Sequence, residues 1–324
     1  MTNGPLVSVI IPAYNRAHTV KETVDSVLGQ TYGNLQVIVV DDGSKDNTQE
    51  VLREYGARIQ NIRQENAGQM VARNRGIAEA RGEIITFLDS DDVWLPTCVE
   101  RHVSVLQRSG PEVPCSVANG WLEFSDGRRI TSFQNSHLAP AFEEGICSNV
   151  AEILATRFVM FCQFVAIRRE AMQKVRGFDE ELDYMEDYDL PLRLTTLGPW
   201  IFIREPLVVW RQGAANTISV SQRALKQQAE LRESLLKIRN RYLEMIAGQD
   251  GLEVSRELQK RQLRIDELEI RAIRMEAEQT WAAKLLGKTL FRALRYRQAL
   301  FRRGTRFPKM KIVELKKLRD SAQN

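Results

Sequence analysis

Three short apolar runs near the start of the chain set the terms for its fold. Leu6–Ile11, Leu35–Val40 and Ile84–Leu88 are almost unbroken in apolar character. Runs of that length without alternation read as strands buried on both faces, as parallel sheets require. Between them lie helix-length stretches, about Thr19 to Gln30, a shorter one ending near Tyr55 with Asp46 or Asn47 as its cap, and Gly68 to Ala80. Arg58 to Arg63 reads as a further, shorter strand. Pro12 is expected to stop the first strand. Strand and helix alternating at this spacing predict a parallel sheet with right-handed crossovers. Such sheets bind ligands beyond the carboxyl ends of their strands. The three runs end in Pro12–Asn15, Asp41–Ser44 and Asp89–Asp92, all polar, so these ends are expected to converge on one crevice.

Asp89-Ser90-Asp91-Asp92 places three carboxylates within four residues. Such groups repel one another unless positive charge sits among them. A divalent cation with oxygen ligands, Mg²⁺ or Mn²⁺, answers that need, held by one or two carboxylates and the phosphates of a substrate. A turn leading into a helix cap is the plainer alternative, and Asp92 suits it. No G-x-G-x-x-G follows the first strand and no G-x-x-x-x-G-K-[ST] loop occurs, which argues against dinucleotide and P-loop sites.

Further along, Val113 to Phe124 and Arg129 to Phe133 suggest a hairpin around Ser125-Asp126-Gly127. Residues 134–147 read as a flexible loop, Gln163 to Ile167 as a strand, and the stretch to about Val175 as a helix. Another helix begins near Glu186, with acids at the positive end of its dipole, and Ile201 to Trp210 is extended. With 324 residues and 43% hydrophobic content, the chain can build one large domain or two modest ones. Cys98, Cys115, Cys147 and Cys162 show no C-x-x-C spacing and read as buried, reduced thiols. No run of 18 apolar residues occurs and no basic segment precedes the first apolar stretch. A cytoplasmic location is therefore expected.

Taken in order, seven segments carry a resemblance: Pro12-Ala13-Tyr14-Asn15, Asp41-Asp42-Gly43-Ser44, Asn66-Ala67-Gly68, Ala72-Arg73-Asn74-Arg75-Gly76, Phe87-Leu88-Asp89-Ser90-Asp91-Asp92, Gly177-Phe178-Asp179-Glu180 and Glu186-Asp187-Tyr188-Asp189-Leu190. The set resembles the family 2 inverting glycosyltransferases of GT-A fold that serve bacterial cell-surface polysaccharides, over about residues 5–220. The resemblance implies an α/β domain over 1–220 with a Rossmann-like, mostly parallel sheet flanked by helices. It also implies a nucleotide-sugar donor, most often a UDP-sugar. By matching position, Pro12, Tyr14 and Asn15 line the nucleoside pocket and Asp41 accepts a hydrogen bond from uracil. Asn66 and Arg73 lie near the base and diphosphate. Asp89, Ser90 and Asp91 form the D-x-D segment that meets ribose and metal, with Asp92 sharing the metal. Asp187 is the general base that a hydroxyl nucleophile needs, and Glu186 supports it near the acceptor. One departure is clear: many relatives carry a His after the strand that ends at Trp210-Arg211, and this chain has Gln212-Gly213-Ala214-Ala215-Asn216. Gln212 and Asn216 are the available stand-ins. Two other readings stand beside the transferase. A sugar nucleotidyltransferase would need a Gly-rich loop after the first strand. An inactive nucleotide-sugar-binding scaffold would act through its helical C-terminus.

From about Gln222 the chain turns polar and helix-forming. Leu231, Leu235, Ile238, Tyr242 and Met245, then Leu258, Ile265, Leu268, Ala272 and Met275, form heptad-like seams. They suggest a helical hairpin over 221–280 that packs within the chain or forms a homo-oligomer through 222–276. Residues 281–320 hold 13 Lys/Arg against 2 Asp/Glu, a local net of +11 in a chain of net +4. Within this tail, taken as 281–324, Trp281 to Arg303 reads as a basic amphipathic helix. Lys284, Lys288, Arg292, Arg295 and Arg302 lie on one face, at about 100° per residue. Such a helix suits an anionic membrane surface. It would place the enzyme on the inner face of the cell membrane beside a glycan or lipid-linked acceptor. No nucleic-acid reading module accompanies the basic residues, so nucleic acid is not an expected partner.

Overall fold

The computed structural model describes residues 4–156, 159, 162–180, 182, 186–212, 238 and 312–314. The chain runs β1 (Val7–Ala13), α1 (Val20–Leu28), β2 (Leu35–Asp41), α2 (Thr48–Arg53), β3 (Gln60–Arg63), α3 (Gln69–Glu79), β4 (Ile84–Phe87) and β5 (Val93–Trp94). It continues through α4 (Cys98–Gln107), β6 (Cys115–Phe124), β7 (Arg129–Thr131), α5 (Ser132–Asn135), β8 (Glu144–Cys147) and α6 (Val150–Thr156). Then come β9 (Val165–Arg168), α7 (Arg169–Val175), α8 (Glu186–Thr195), β10 (Trp200–Gln212) and β11 (Ile312–Glu314).

Among the described residues these strands form one sheet in the order β11-β8-β10-β6-β9-β4-β1-β2-β3. β1 pairs in parallel with β2 and β4, β2 with β3, and β6 with β10. β9 is antiparallel between β4 and β6, and β8 is antiparallel beyond β10. β1 to β4, β6 and β10 therefore run the same way. Their carboxyl ends share one rim, and β9 begins on it. This is the mostly parallel, helix-flanked sheet of a GT-A fold.

Periodicity explains the layering. α1 buries Val20, Thr23, Val24 and Val27, one stripe at helical spacing. α3 buries Ala72, Arg73 and Gly76. A Cβ on Gly76 would lie 2.4 Å from Ile10 Cγ2, so this glycine is what lets α3 settle onto β1.

Pro12 does not stop β1. Ile10 turns its backbone toward β4, since Leu88 N–H donates to Ile10 O, and Pro12 faces the same side two residues on. β4 pairs with β1 only as far as Ile10. The missing N–H therefore costs no ladder bond. Residues 134–147 are more ordered than expected. α5 ends at Asn135, with a capping box between Thr131 and Gln134, and β8 pairs antiparallel with β10. The two-residue β5, paired with β10, has no signal of its own in the sequence. Residues 312–314, assigned to the helical tail, form β11 on the β8 edge, in keeping with the β-branched Ile312-Val313.

Contacts divide the chain into two units. Met1–Glu181, Glu186–Asn216 and Met310–Asn324 form the first, which carries the sheet, and Leu182–Met185 with Thr217–Lys309 form the second. The heptad seams, apart from Ile238, and the basic helix lie outside the described residues. Among those described, no helix is long and apolar enough to cross a membrane.

Candidate active site

The loops after β1 and β2 interlock. Asn15 takes a left-handed backbone with φ of +53°, a conformation Asn tolerates better than most residues. Its N–H donates to Ser44 Oγ at 2.9 Å, and its Oδ1 accepts from Lys45 N–H at 2.8 Å. Arg16 N–H donates to Thr48 Oγ1. Tyr14 is left with 38% of its surface exposed, a ring free to stack on a planar ligand. Pro12 is buried.

The two acids of Asp41-Asp42 face inward. Asp41 is wholly buried. It accepts from Ser44 N–H at 2.9 Å and from the Gln49 amide at 2.7 Å, with the Arg63 guanidinium 3.6 Å away. So placed, it shapes the loop that borders the pocket. Asp42 organises the neighbouring loop. Its carboxylate accepts from Ala67 and Gly68 N–H, from Gln64 Nε2 and from Asn66 Nδ2, all within 3.1 Å. Asn66 also donates to the Asp42 carbonyl. The loops after β2 and β3 thus border an open cleft of about 680 Å³ lined in part by Ser44, Lys45, Arg63, Gln64 and Asn66.

The acidic loop after β4 divides its carboxylates by depth. Asp89 and Asp91 keep about a fifth of their side-chain surface, 22% and 20%. Asp89 Oδ1 accepts from Arg73 at 2.7 Å and from Gln69 at 3.1 Å. Arg73 is only 1% exposed. It lies behind Asp89 with its guanidinium over the Phe178 ring, so it grips the acid. Asp91 lies 3.5 Å from Arg16, and Ser90 is buried. Asp92 lies deepest of the three acids. It is fully buried, its Oδ1 accepts from Arg211 N–H at 3.0 Å, and its Oδ2 accepts from Gln163 Nε2 at 3.1 Å. It ties the loop to β10 and to the turn before β9. Among the described residues no three His, Cys, Asp or Glu side chains gather in a metal-holding group.

The other wall comes from the turn before β9 and from α8. Cys162 donates its S–H to Asp187 Oδ1. The next residue, Gln163, donates to Asp92 Oδ2, so the turn that carries Cys162 links Asp187 to the acidic loop. α8 is anchored from below. Arg193 pairs with Asp189 at 2.7 Å and donates to Gly177 O and Val175 O. Asn74 Nδ2 donates to Phe178 O and Glu180, and its Oδ1 accepts from Phe178 N–H. α3 therefore points Arg73 at the acidic loop and the adjacent Asn74 at the Gly177–Glu180 turn. Glu186 is the first residue of α8.

Burial, and then the charge of Asp89, holds the Asp91 carboxyl above its usual range; Arg16 opposes this without outweighing it. Burial, then Asp89 and Asp91, does the same to Asp92 more strongly. A carboxyl raised by folding contributes stability that is complete below its unfolded pKa of about 4 and is lost as pH climbs through its folded pKa. Asp91→Asn removes that loss. In metal-free protein, the melting temperature of Asp91→Asn relative to wild type is expected to rise from pH 4 toward neutrality. A relative melting temperature that falls over the same range would mean that Arg16 dominates.

Fold and rim together define the class, a GT-A glycosyltransferase. The family description "Glycosyl transferase family 2" matches residues 8–175, and the chain belongs to that family. It is 32% identical over 234 residues to a glycosyltransferase of Rickettsia prowazekii, RP339, covering 72% of each chain. It is 31% identical over 265 residues to the glycosyltransferase alr2836 of a Nostoc species, covering 79% of this chain and 81% of that one. Its fold is similar to that of S. aureus TarS 1–349 in complex with UDP-GlcNAc, with a TM-score of 0.54, 18% identity, and 77% and 76% of the two chains covered. It is also similar to the mannosyltransferase PcManGT of Pyrobaculum calidifontis in complex with GDP-Man and Mn²⁺, with a TM-score of 0.52, 20% identity, and 90% and 81% covered.

Proposed function

We propose that this enzyme is an inverting glycosyltransferase. It moves a sugar from a nucleotide-diphosphate donor, a UDP-sugar, to an acceptor hydroxyl in surface polysaccharide, lipopolysaccharide or glycoconjugate synthesis. The observation that carries the reading is the Asp187 carboxylate, bonded to Cys162 on the turn whose next residue, Gln163, is tied to the acidic loop of Asp89 and Asp91. The acceptor hydroxyl gives its proton to Asp187 and attacks the anomeric carbon. The bond from that carbon to the diphosphate breaks on the opposite face, so the configuration inverts. Tyr14 stacks on the base, and the loop braced by Asp41 and Asp42 shapes the nucleoside pocket. Arg73 positions Asp89. Asp89 and Asp91 fit a divalent cation: both are partly exposed, and their mutual repulsion is relieved by added positive charge. When bound, such an ion stabilises the negative charge that develops on the leaving diphosphate. The named complexes of TarS with UDP-GlcNAc and of PcManGT with GDP-Man and Mn²⁺ support both halves of this reading. On sequence grounds, residues 222–276 serve packing or self-association and 281–320 an anionic membrane surface.

The test is a panel of nucleotide sugars incubated with Mn²⁺ or with EDTA and a polysaccharide acceptor. UDP release from one donor in Mn²⁺ and its loss in EDTA are expected, with the product anomer opposite to the donor by NMR. A retained anomer would remove Asp187 from the role of base. Absence of UDP binding by calorimetry would overturn the choice of donor.

A further inference from the structure

We propose that Cys162 is a positioning residue for the general base: its thiol fixes the orientation of the Asp187 carboxylate through the bond to Oδ1. This deepens the reading above and rests on Asp187 being the base.

Cys162 is wholly buried and opens a single 3₁₀ turn, Cys162–Phe164. The three residues of that turn have three different attachments. Cys162 binds Asp187. Gln163 donates to Asp92 Oδ2 at 3.1 Å, and its carbonyl accepts from Trp94 Nε1 at 3.1 Å. Phe164 is anchored in the core beside Gly120, where an added Cβ would come within 2.4 Å of its ring. One short turn, tied at each of its residues, therefore spans the acidic loop and the candidate base. Burial raises the thiol pKa, and the charge of Asp187 raises it further. The group is thus an S–H donor at neutral pH.

The choice of sulfur has a chemical reason. A carboxylate base needs a fixed direction but must keep its affinity for a proton. Strong donors to the ionised form depress a carboxyl pKa. A thiol is a weak donor, so it directs Asp187 at little cost in basicity. A hydroxyl in its place would hold the same direction and weaken the base.

The experiment compares Cys162→Ala, Cys162→Ser and Asp187→Asn in the full-length enzyme, each first checked for folding by thermal melt. Cys162→Ala is expected to lower kcat about 10-fold with the donor KM unchanged, since misplacement of a reacting group costs rate before binding. The acidic limb of its pH–kcat profile should move to higher pH, because the carboxylate has lost a donor. Cys162→Ser should recover kcat to within about 3-fold and move the acidic limb to lower pH. If Cys162→Ala does not fold, the Ser variant alone decides, because an unmoved limb would then overturn the proposal. A Cys162→Ala enzyme with normal kcat, or with lower stability and an unmoved limb, overturns it while an inactive Asp187→Asn leaves the base in place. An active Asp187→Asn overturns both.

Discussion

Asp187→Asn is expected to reduce kcat by about 10³-fold, within the range that a positioned general base supplies, and to leave the donor KM nearly unchanged. The amide has the shape of the carboxylate but takes no proton at neutral pH. The loss should be chemical, because the helix around it is held independently. Tyr188 Oη donates to Leu154 O at 2.9 Å, and Asp189 pairs with Arg193, which in turn binds Gly177 O. None of these bonds involves the side chain that is changed. The proposed donor contacts lie at the ends of β1, β2 and β4, so on that reading donor affinity has no reason to follow kcat. Initial rates at saturating acceptor with varied donor separate the two constants. A kcat within 10-fold of wild type would remove Asp187 from the chemistry.

The frame of the site was legible because two kinds of local rule agreed. Buried-strand periodicity marked β1, β2 and β4, and turn-forming acids and amides marked where they ended. Sequence adjacency says nothing, however, about which way neighbouring side chains point. Asp89, Asp91 and Asp92 read as one set of acids. In the fold, Asp92 N–H closes a turn onto Asp89 O, and its carboxylate is drawn under the loop to Arg211 and Gln163. Asp41 goes inward likewise, claimed by Ser44 and Gln49. Cys162 carried no signal at all, because its meeting with Asp187 follows from the antiparallel insertion of β9 between β4 and β6. β8 was hidden because its first residue, Glu144, is nearly buried. It is tolerated there by Arg108 at 2.7 Å and Arg101 at 3.4 Å, both on α4 or its end.

Arg73→Met is expected to cost stability by about 2–3 kcal/mol, less than the full price of breaking a buried ion pair because Asp89 keeps water on one side. Arg73 has almost no exposure, and its attachments include the 2.7 Å bond to Asp89, the Phe178 face 5.3 Å away, and the packing of α3 on β1. Phe178 in turn meets Phe87 edge to face at 5.3 Å. Methionine fills much of the stem volume and keeps a sulfur–aromatic contact. What it cannot do is balance Asp89, which then repels Asp91 without a counter-ion. Asp89→Asn alone leaves the opposite fault, a buried guanidinium deprived of the Asp89 carboxylate. The double variant removes both faults, so its loss should fall short of the sum of the singles by about 1–2 kcal/mol, as coupled neighbours do. Urea unfolding of the metal-free wild type and three variants measures this directly. Strictly additive losses would mean that Arg73 and Asp89 are each held in place by contacts other than the one between them. Activity distinguishes the two roles in a second way. The double variant regains stability but no carboxylate at position 89, so it should stay as inactive as Asp89→Asn while melting above Arg73→Met.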